Sequence, residues 1–302
     1  MQKQLGELAL QNAQLVDRYD QAQTLVQSKS AAATRAERLA AEADKAYEAA
    51  RVQLGEAAAA EYEGGSFSAT GALLSSNSGS SYLDQLTTLS MISTHNAQVV
   101  SNLTDVQRTA DAAKKQAESL LSEATARRDA LAQKRAAVQK QLDKYNTLLD
   151  TLTVAQRLTY QQSVNPSVSQ SSVEQVKAKI PHINSKAAAQ AVRFALAQVG
   201  KPYVFGAAGP DSYDCSGLTM RAWGSAGVSL PHSAADQYNY GTHIPFSALQ
   251  PGDLMFYYSP IGHVTIYAGD GLMVSAPETG EDVKVASAID GNGYVGATRL
   301  TG

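Results

Sequence analysis

No proline occurs in the first 165 of 302 residues, and all nine fall from Pro166 onward. A long proline-free run rich in Ala, Gln, Leu, Glu and Lys favours continuous helix, because nothing removes a backbone donor or clashes with the preceding turn. Within it Leu5, Leu8, Asn12, Leu15, Tyr19, Ala22 and Val26 alternate spacings of three and four. A second stripe runs Leu103, Val106, Ala110, Ala113, Ala117, Leu120 and Ala124, then resumes at Val138, Leu142, Tyr145, Leu149 and Leu152. This is the a/d pattern of a coiled coil. It predicts two helices of about 60 residues, each roughly 90 Å long. Alanine-rich stretches such as Ala31 to Ala33 and Ala57 to Ala60 predict close helix packing.

Gly64-Gly65 ends the first run, so the two helices read as an antiparallel hairpin over residues 1–160. The joining segment, 66–94, is Ser/Gly-rich yet carries Leu73-Leu74, Tyr82, Leu83, Leu86, Leu89, Met91 and Ile92 at helical spacings. It reads as short helices capping the tip. Their apolar residues either stabilise the tip or offer a docking surface, with Leu83, Leu86 and Leu89 as the partner-binding candidates.

Residues 161–185 are polar and turn-prone and read as a linker, with a short helix near Val173 to Lys179. Residues 186–302 read as a compact domain. A helix capped by Ser185 buries Ala188, Val192, Ala195, Leu196 and Val199 and stops at Gly200. Alternating strands follow near 254–258, 263–268, 272–276 and 294–300, with Gly269-Asp270-Gly271 as a hairpin turn. Helices first and an antiparallel sheet after make an α+β layout.

The formal charge is −3. The segment 186–302 holds 6 Lys/Arg and 9 Asp/Glu, which accounts for all of it. Neither half has a basic surplus, which argues against a nucleic-acid partner. No apolar run approaches the roughly 18–20 residues of a membrane span, and no signal peptide is recognisable. No cofactor or metal is expected.

The chemistry centres on Cys215, the single cysteine, in Asp214-Cys215-Ser216-Gly217 ahead of a helix-like run. A thiol at a helix N-terminus feels the positive end of the dipole, which favours thiolate. His263 opens an alternating strand further on. One Cys with a distant His suits nucleophilic catalysis, the imidazole acting as base and then as acid. His95 and His182 lie outside this segment, while His232 and His243 sit in loop-like contexts and read as solvated.

The flanks of both residues resemble those of NlpC-type papain-like cell-wall endopeptidases. The matching blocks are Lys201 to Gly206, Gly209 to Gly217, Leu230 to Ser233, Leu249 to Leu254 and Gly262 to Gly269. The resemblance covers roughly 186–302 and implies a papain-like α+β fold with Cys215 as nucleophile and His263 as base. It implies a polar orienting residue one strand after the histidine, a position that falls on Ser275. A serine accepts the His N–H but cannot stabilise imidazolium as a carboxylate would. Glu278 is near enough in sequence to compensate and otherwise reads as a solvated loop carboxylate. The resemblance also brings the Tyr203 hydroxyl toward the oxyanion, beside the Cys215 N–H. It gives Asp214 and Ser216 a role in binding the peptide's amino end, though either serves equally as a helix N-cap. His232 departs from the family, which usually has arginine there.

By the same resemblance the substrate is the peptidoglycan stem peptide, cut between D-isoglutamate and the diamino acid through an acyl-enzyme on Cys215. The helical arm is similar in architecture to cell-division hydrolases of the PcsB and RipC type, which the FtsEX transporter controls. That implies a secreted protein on the cell-wall side of the membrane, its export signal outside these residues. The extracellular part of FtsX would bind the tip, and the arm, in cis or in trans, would block the Cys215 cleft. A coiled coil also allows a homodimer. The alternative is a catalytically weak or inactive domain serving as a divisome scaffold.

Overall fold

The computed structural model describes residues 2–63, 76, 78–164, 168–289 and 293–301. Helix α1 spans Gln2–Glu63 and α2 spans Gly79–Asp150. Residues 79–94 are thus the start of a continuous helix, not separate short helices. Gly79 is the last glycine before residue 150, no proline intervenes, and the Ser78 hydroxyl accepts the Ser81 N–H at 3.2 Å. Leu83 is 63% exposed on this helix, while Leu86 and Leu89 are half-buried. Leu73 and Leu74 lie outside the described residues.

The chain divides into two compact units. Residues 27–126 form one of them. In it Ala36 and Ala40 of α1 pack on Ala113, Ala117 and Leu120 of α2, and Lys29 donates to Glu123 at 3.1 Å. Small side chains bring the two backbones close, as the alanine-rich stripes imply.

Residues 1–26 and 127–302 form the other unit. Leu5 packs with Tyr145, Leu149, Leu152 and Tyr160, and further along α1 Val16 and Tyr19 pack with Val138 and Leu142. Partners on α2 descend as α1 ascends, so the helices run antiparallel. Helix α3 (Val154–Val164) follows, then α4 (Gln170–Lys179), whose Ser169 hydroxyl accepts the Ser172 N–H. The linker region is not a free tether at this end. Val176 and Ile180 are 2% and 6% exposed in the core of the C-terminal domain, with Val173 against it.

Helix α5 (Lys186–Leu196) is capped by Ser185, and α6 (Cys215–Gly224) by Asp214. The short α7 (Ala234–Tyr238) is capped by Ser233. Six antiparallel strands complete the domain: β1 (Thr242–Ile244), β2 (Leu254–Tyr257), β3 (His263–Gly269), β4 (Leu272–Ser275), β5 (Lys284–Ser287) and β6 (Tyr294–Arg299), in the order β1-β6-β2-β3-β4-β5. The expected strands are β2, β3, β4 and β6. Strands β1 and β5 are not among them; the three residues of β1 are too short to carry an alternation.

Two glycines hold the layers together. Gly252 has φ +100° and lies where a Cβ would meet Ala188 of α5 at 2.6 Å, so β2 can begin directly under that helix. Trp223 of α6 donates to the Gly252 carbonyl at 3.2 Å. Gly262, next to His263, lies against the backbone of Ala13 and Gln14, where a Cβ would approach to 2.8–2.9 Å.

Candidate active site

Cys215 is the first residue of α6, and His263 is the first residue of β3. Both line one cavity of about 300 Å³, together with Tyr203, Tyr257, Tyr258 and Glu278. Ser275, on β4, lies 3.1 Å from His263 Nε2 and is fully buried. The hydroxyl is thus within hydrogen-bond reach of the His263 ring. Glu278 follows β4 and is half-buried on the cavity wall, not solvated. Burial raises its carboxyl to about 7, opposed by Tyr145 and Lys284, while Glu281 adds to the rise.

The cavity is roofed by the helical arm. Ala9, Asn12, Ala13 and Val16 of α1 and Leu142 and Tyr145 of α2 also line it. The sequence stripe assigned α1 one buried face. Around residues 12–20 it has two, since Asp17 and Asp20 are 3% and 1% exposed against the catalytic domain. Asp17 accepts the Ser233 hydroxyl at 3.1 Å and the Ala235 N–H at 3.1 Å. Asp20 accepts the Ser216 hydroxyl at 3.2 Å, and Gln14 donates to the Pro260 carbonyl at 3.3 Å. Tyr19 meets Phe205 edge-on, centroids 4.8 Å apart.

This cover reverses the electrostatics expected of a helix-terminal thiol. Burial pushes the Cys215 thiol well above its ordinary range, Asp214 and Asp20 push it further, and a hydrogen bond from the Val264 N–H only partly offsets them. Burial also lowers His263 to about 4. The covered pair is therefore neutral thiol and neutral imidazole. Burial likewise raises the Tyr203 phenol, with the Cys215 charge adding to it, so this hydroxyl stays a donor.

Asp214 is the N-cap of α6, accepting the Gly217 N–H at 2.7 Å, and it is fully buried. Ser216 is also buried. Gly217 is required here because a Cβ would fall against the Ala207 carbonyl, 2.9 Å from Asp214 Oδ1 and 3.0 Å from His232 Nε2. His232 is not solvated. Its Nε2 lies 2.9 and 3.0 Å from the two Asp214 oxygens. Burial pulls His232 down, but the Asp214 hydrogen bond and charge leave it above its ordinary value. His243 is exposed on β1 as expected and stacks on Tyr238 at 4.1 Å.

Two functional features escape sequence reasoning. Gln237 is fully buried and donates to the Ser216 and Pro231 carbonyls at 2.9 and 2.8 Å. It also accepts the Thr219 hydroxyl at 2.6 Å, which ties α6 to the loop carrying His232. The acidic pair Asp17 and Asp20 looks like ordinary helix surface in a polar sequence. A hint lay in their position beside, rather than on, the a/d stripe.

Comparison with known proteins agrees with this layout. Residues 200–298 match the NlpC/P60 family. The probable endopeptidase Rv2190c of Mycobacterium tuberculosis is 45% identical over 104 residues, covering 34% of this chain and 27% of that protein. The peptidoglycan endopeptidase RipA of the same organism is 40% identical over 124 residues, covering 36% and 26%. The chain thus spans about a quarter of the length of these relatives. A crystal structure of the P60 domain from Mycobacterium avium subspecies paratuberculosis antigen MAP1204 is 32% identical, covering 38% of this chain and 94% of that one, with a TM-score of 0.36. The cysteine at the start of α6, the histidine opening β3 and the matched residues 200–298 converge: the C-terminal domain of the chain is an NlpC/P60-family domain.

Proposed function

We propose that this chain is a peptidoglycan endopeptidase whose active site is closed in cis by the base of its own helical arm. The observation that carries this reading is the shared cavity: Cys215 and His263 face it from below, and α1 and α2 close it from above. On this reading a stem peptide reaches the pair only when that roof moves. Removal of the roof rehydrates the pair, which lowers the thiol and raises the imidazole toward the ion pair that attacks. The Cys215 thiolate attacks the carbonyl of the D-isoglutamyl–diamino acid bond, the Cys215 N–H and Tyr203 hydroxyl receive the oxyanion, and His263 protonates the leaving amine. Ser275 orients His263, and Glu278 is the alternative for that role.

Relief comes from a partner that binds the start of α2. Exposed Leu83, with Leu86 and Leu89, suits the extracellular part of FtsX, in a secreted cell-division enzyme. The partner need only favour the uncovered state by a few kcal/mol.

The test compares residues 168–302 with the full chain on one soluble stem-peptide fragment. The shorter piece starts at 168 so that Val176 and Ile180 keep their places in the core. A large excess of molar activity for 168–302 is expected. Equal activities would refute closure, and no hydrolysis by either would favour the scaffold role.

A further inference from the structure

The contact between Asp20 and the start of α6 leaves an electrostatic debt that hydrogen bonds do not settle. Asp20, Asp214 and His232 each offer one ligand atom, and these atoms lie within 4.8 Å of one another. Asp20 and Asp214 are 1% and 0% exposed, and the His232 side chain is 13% exposed. The Ser216 hydroxyl lies 3.2 Å from Asp20 Oδ2 and 3.3 Å from Asp214 Oδ1, yet has one proton to give. Asp20 Oδ1 is buried and has no hydrogen-bond partner. Asp214 is served by the Gly217 N–H and by His232 Nε2, whereas Asp20 has only the shared Ser216 hydroxyl. Two buried carboxylates this close favour either a proton on Asp20 or a cation between them.

We propose that Asp20, Asp214 and His232 bind a divalent transition-metal ion, one ligand coming from the arm and two from the catalytic domain. A charge of +2 balances the two carboxylates, and neutral imidazole supplies the nitrogen. One nitrogen and two carboxylate oxygens with a water in the fourth position suit zinc and its first-row neighbours. Tetrahedral ligands bonded at about 2.0 Å stand about 3.3 Å apart, so closing from the present spacing needs small side-chain movements. The Gly217 N–H holds Asp214 Oδ1 at 2.7 Å and fixes the carboxylate's orientation, and the ion would take the place of the contact that Oδ2 now makes with His232 Nε2 at 3.0 Å. Because Asp20 belongs to α1, the ion ties the roof to the catalytic domain. This consequence rests on the closed-site reading above, whereas the site itself does not.

The test uses the full chain carrying Cys215→Ala, so that the catalytic thiol cannot act as a zinc ligand. ZnCl2 is titrated by calorimetry, and bound metal is counted after equilibrium dialysis. One equivalent is expected, with a rise in melting temperature. Asp20→Asn and His232→Gln, each added to that background, should weaken binding at least about tenfold and abolish the thermal shift. They sit on different elements, so loss of fold in one, checked by circular dichroism, leaves the other to decide. Failure to bind one equivalent, or unchanged affinity in either folded variant, overturns the proposal. No peptide substrate enters this measurement, so its outcome is separable from that of the peptidase reading. The tie is read in the wild-type full chain, where zinc should slow alkylation of Cys215 by iodoacetamide. It should do so far less in Asp20→Asn, which keeps the Cys215–His263 pair. Equal slowing in both would assign the effect to zinc on the thiol and overturn the tie.

Discussion

Asp17→Ala isolates the closure from the chemistry. Asp17 lies on α1, and its carboxylate accepts hydrogen bonds from the Ser233 hydroxyl and the Ala235 N–H, both at 3.1 Å. A hydrogen bond to a charged group contributes about 1.5–3 kcal/mol net, so two of them set an upper bound near ~6 kcal/mol. The bound is not reached, because burial raises the Asp17 carboxyl above its ordinary value and so penalises the charged form. A net loss of about 1–3 kcal/mol is the reasonable figure, which is about 5- to 150-fold in the open-to-closed ratio. Alanine also suits a helix interior, so α1 should remain intact. The assay is the rate of iodoacetamide reaction at Cys215 in the full chain, with circular dichroism as the check on folding. The rate should rise by that factor in Asp17→Ala and should not change for Asp44→Ala, a surface residue of the same helix. A wild-type rate in a folded Asp17→Ala would refute the idea that these contacts hold the site closed.

Other outcomes follow from the same geometry. In residues 168–302, Cys215→Ala should abolish hydrolysis and His263→Ala should lower it by at least about 10²-fold. Ser275→Ala should stay within about tenfold, since one neutral hydrogen bond is worth about 1 kcal/mol; a loss as large as that of His263→Ala would contradict its modest role. Asn12 is 7% exposed with its Oδ1 buried and unpartnered at the cavity roof. Asn12→Leu should therefore raise the melting temperature of the full chain and slow alkylation, and a destabilised variant would show that the amide is satisfied. The pH dependence of stability should carry two opposed contributions. Glu278, raised to about 7, adds stability that is full below its unfolded value near 4.5 and is lost as pH rises through 7. His263, lowered to about 4, adds stability that is present above 6.5 and is lost as pH falls through 4. Glu278→Gln removes the first, so its melting temperature should fall more steeply than wild type on acidification from pH 7 to 4.5. Parallel curves would mean that Glu278 titrates normally.

The sequence by itself determined the paired helices, four of the strands and the candidate residues for the reaction. Proline-free heptads can do little but form paired helices, and Ser185 and the Asp214-Cys215-Ser216-Gly217 motif carry their own capping signals. Cys215, His263 and Ser275 were legible because strand alternation and family motifs are local. The continuous start of α2 was misread, because apolar residues at a presumed turn looked like separate helices until Gly79 proved to be the last interruption. What only the tertiary structure decided is the second buried face of α1. Asp17 and Asp20 are polar residues on a charged helix, and nothing within one turn of them distinguishes burial from solvation. Their burial depends on the Ser216 and Ser233 hydroxyls and the Ala235 N–H, contributed from about 200 residues away. The same distant contact sets the state of the nucleophile. A helix N-terminus alone favours thiolate, but burial beside the Asp214, Asp20 and Asp17 carboxylates favours thiol, and burial is a property of the packed chain rather than of any segment in it.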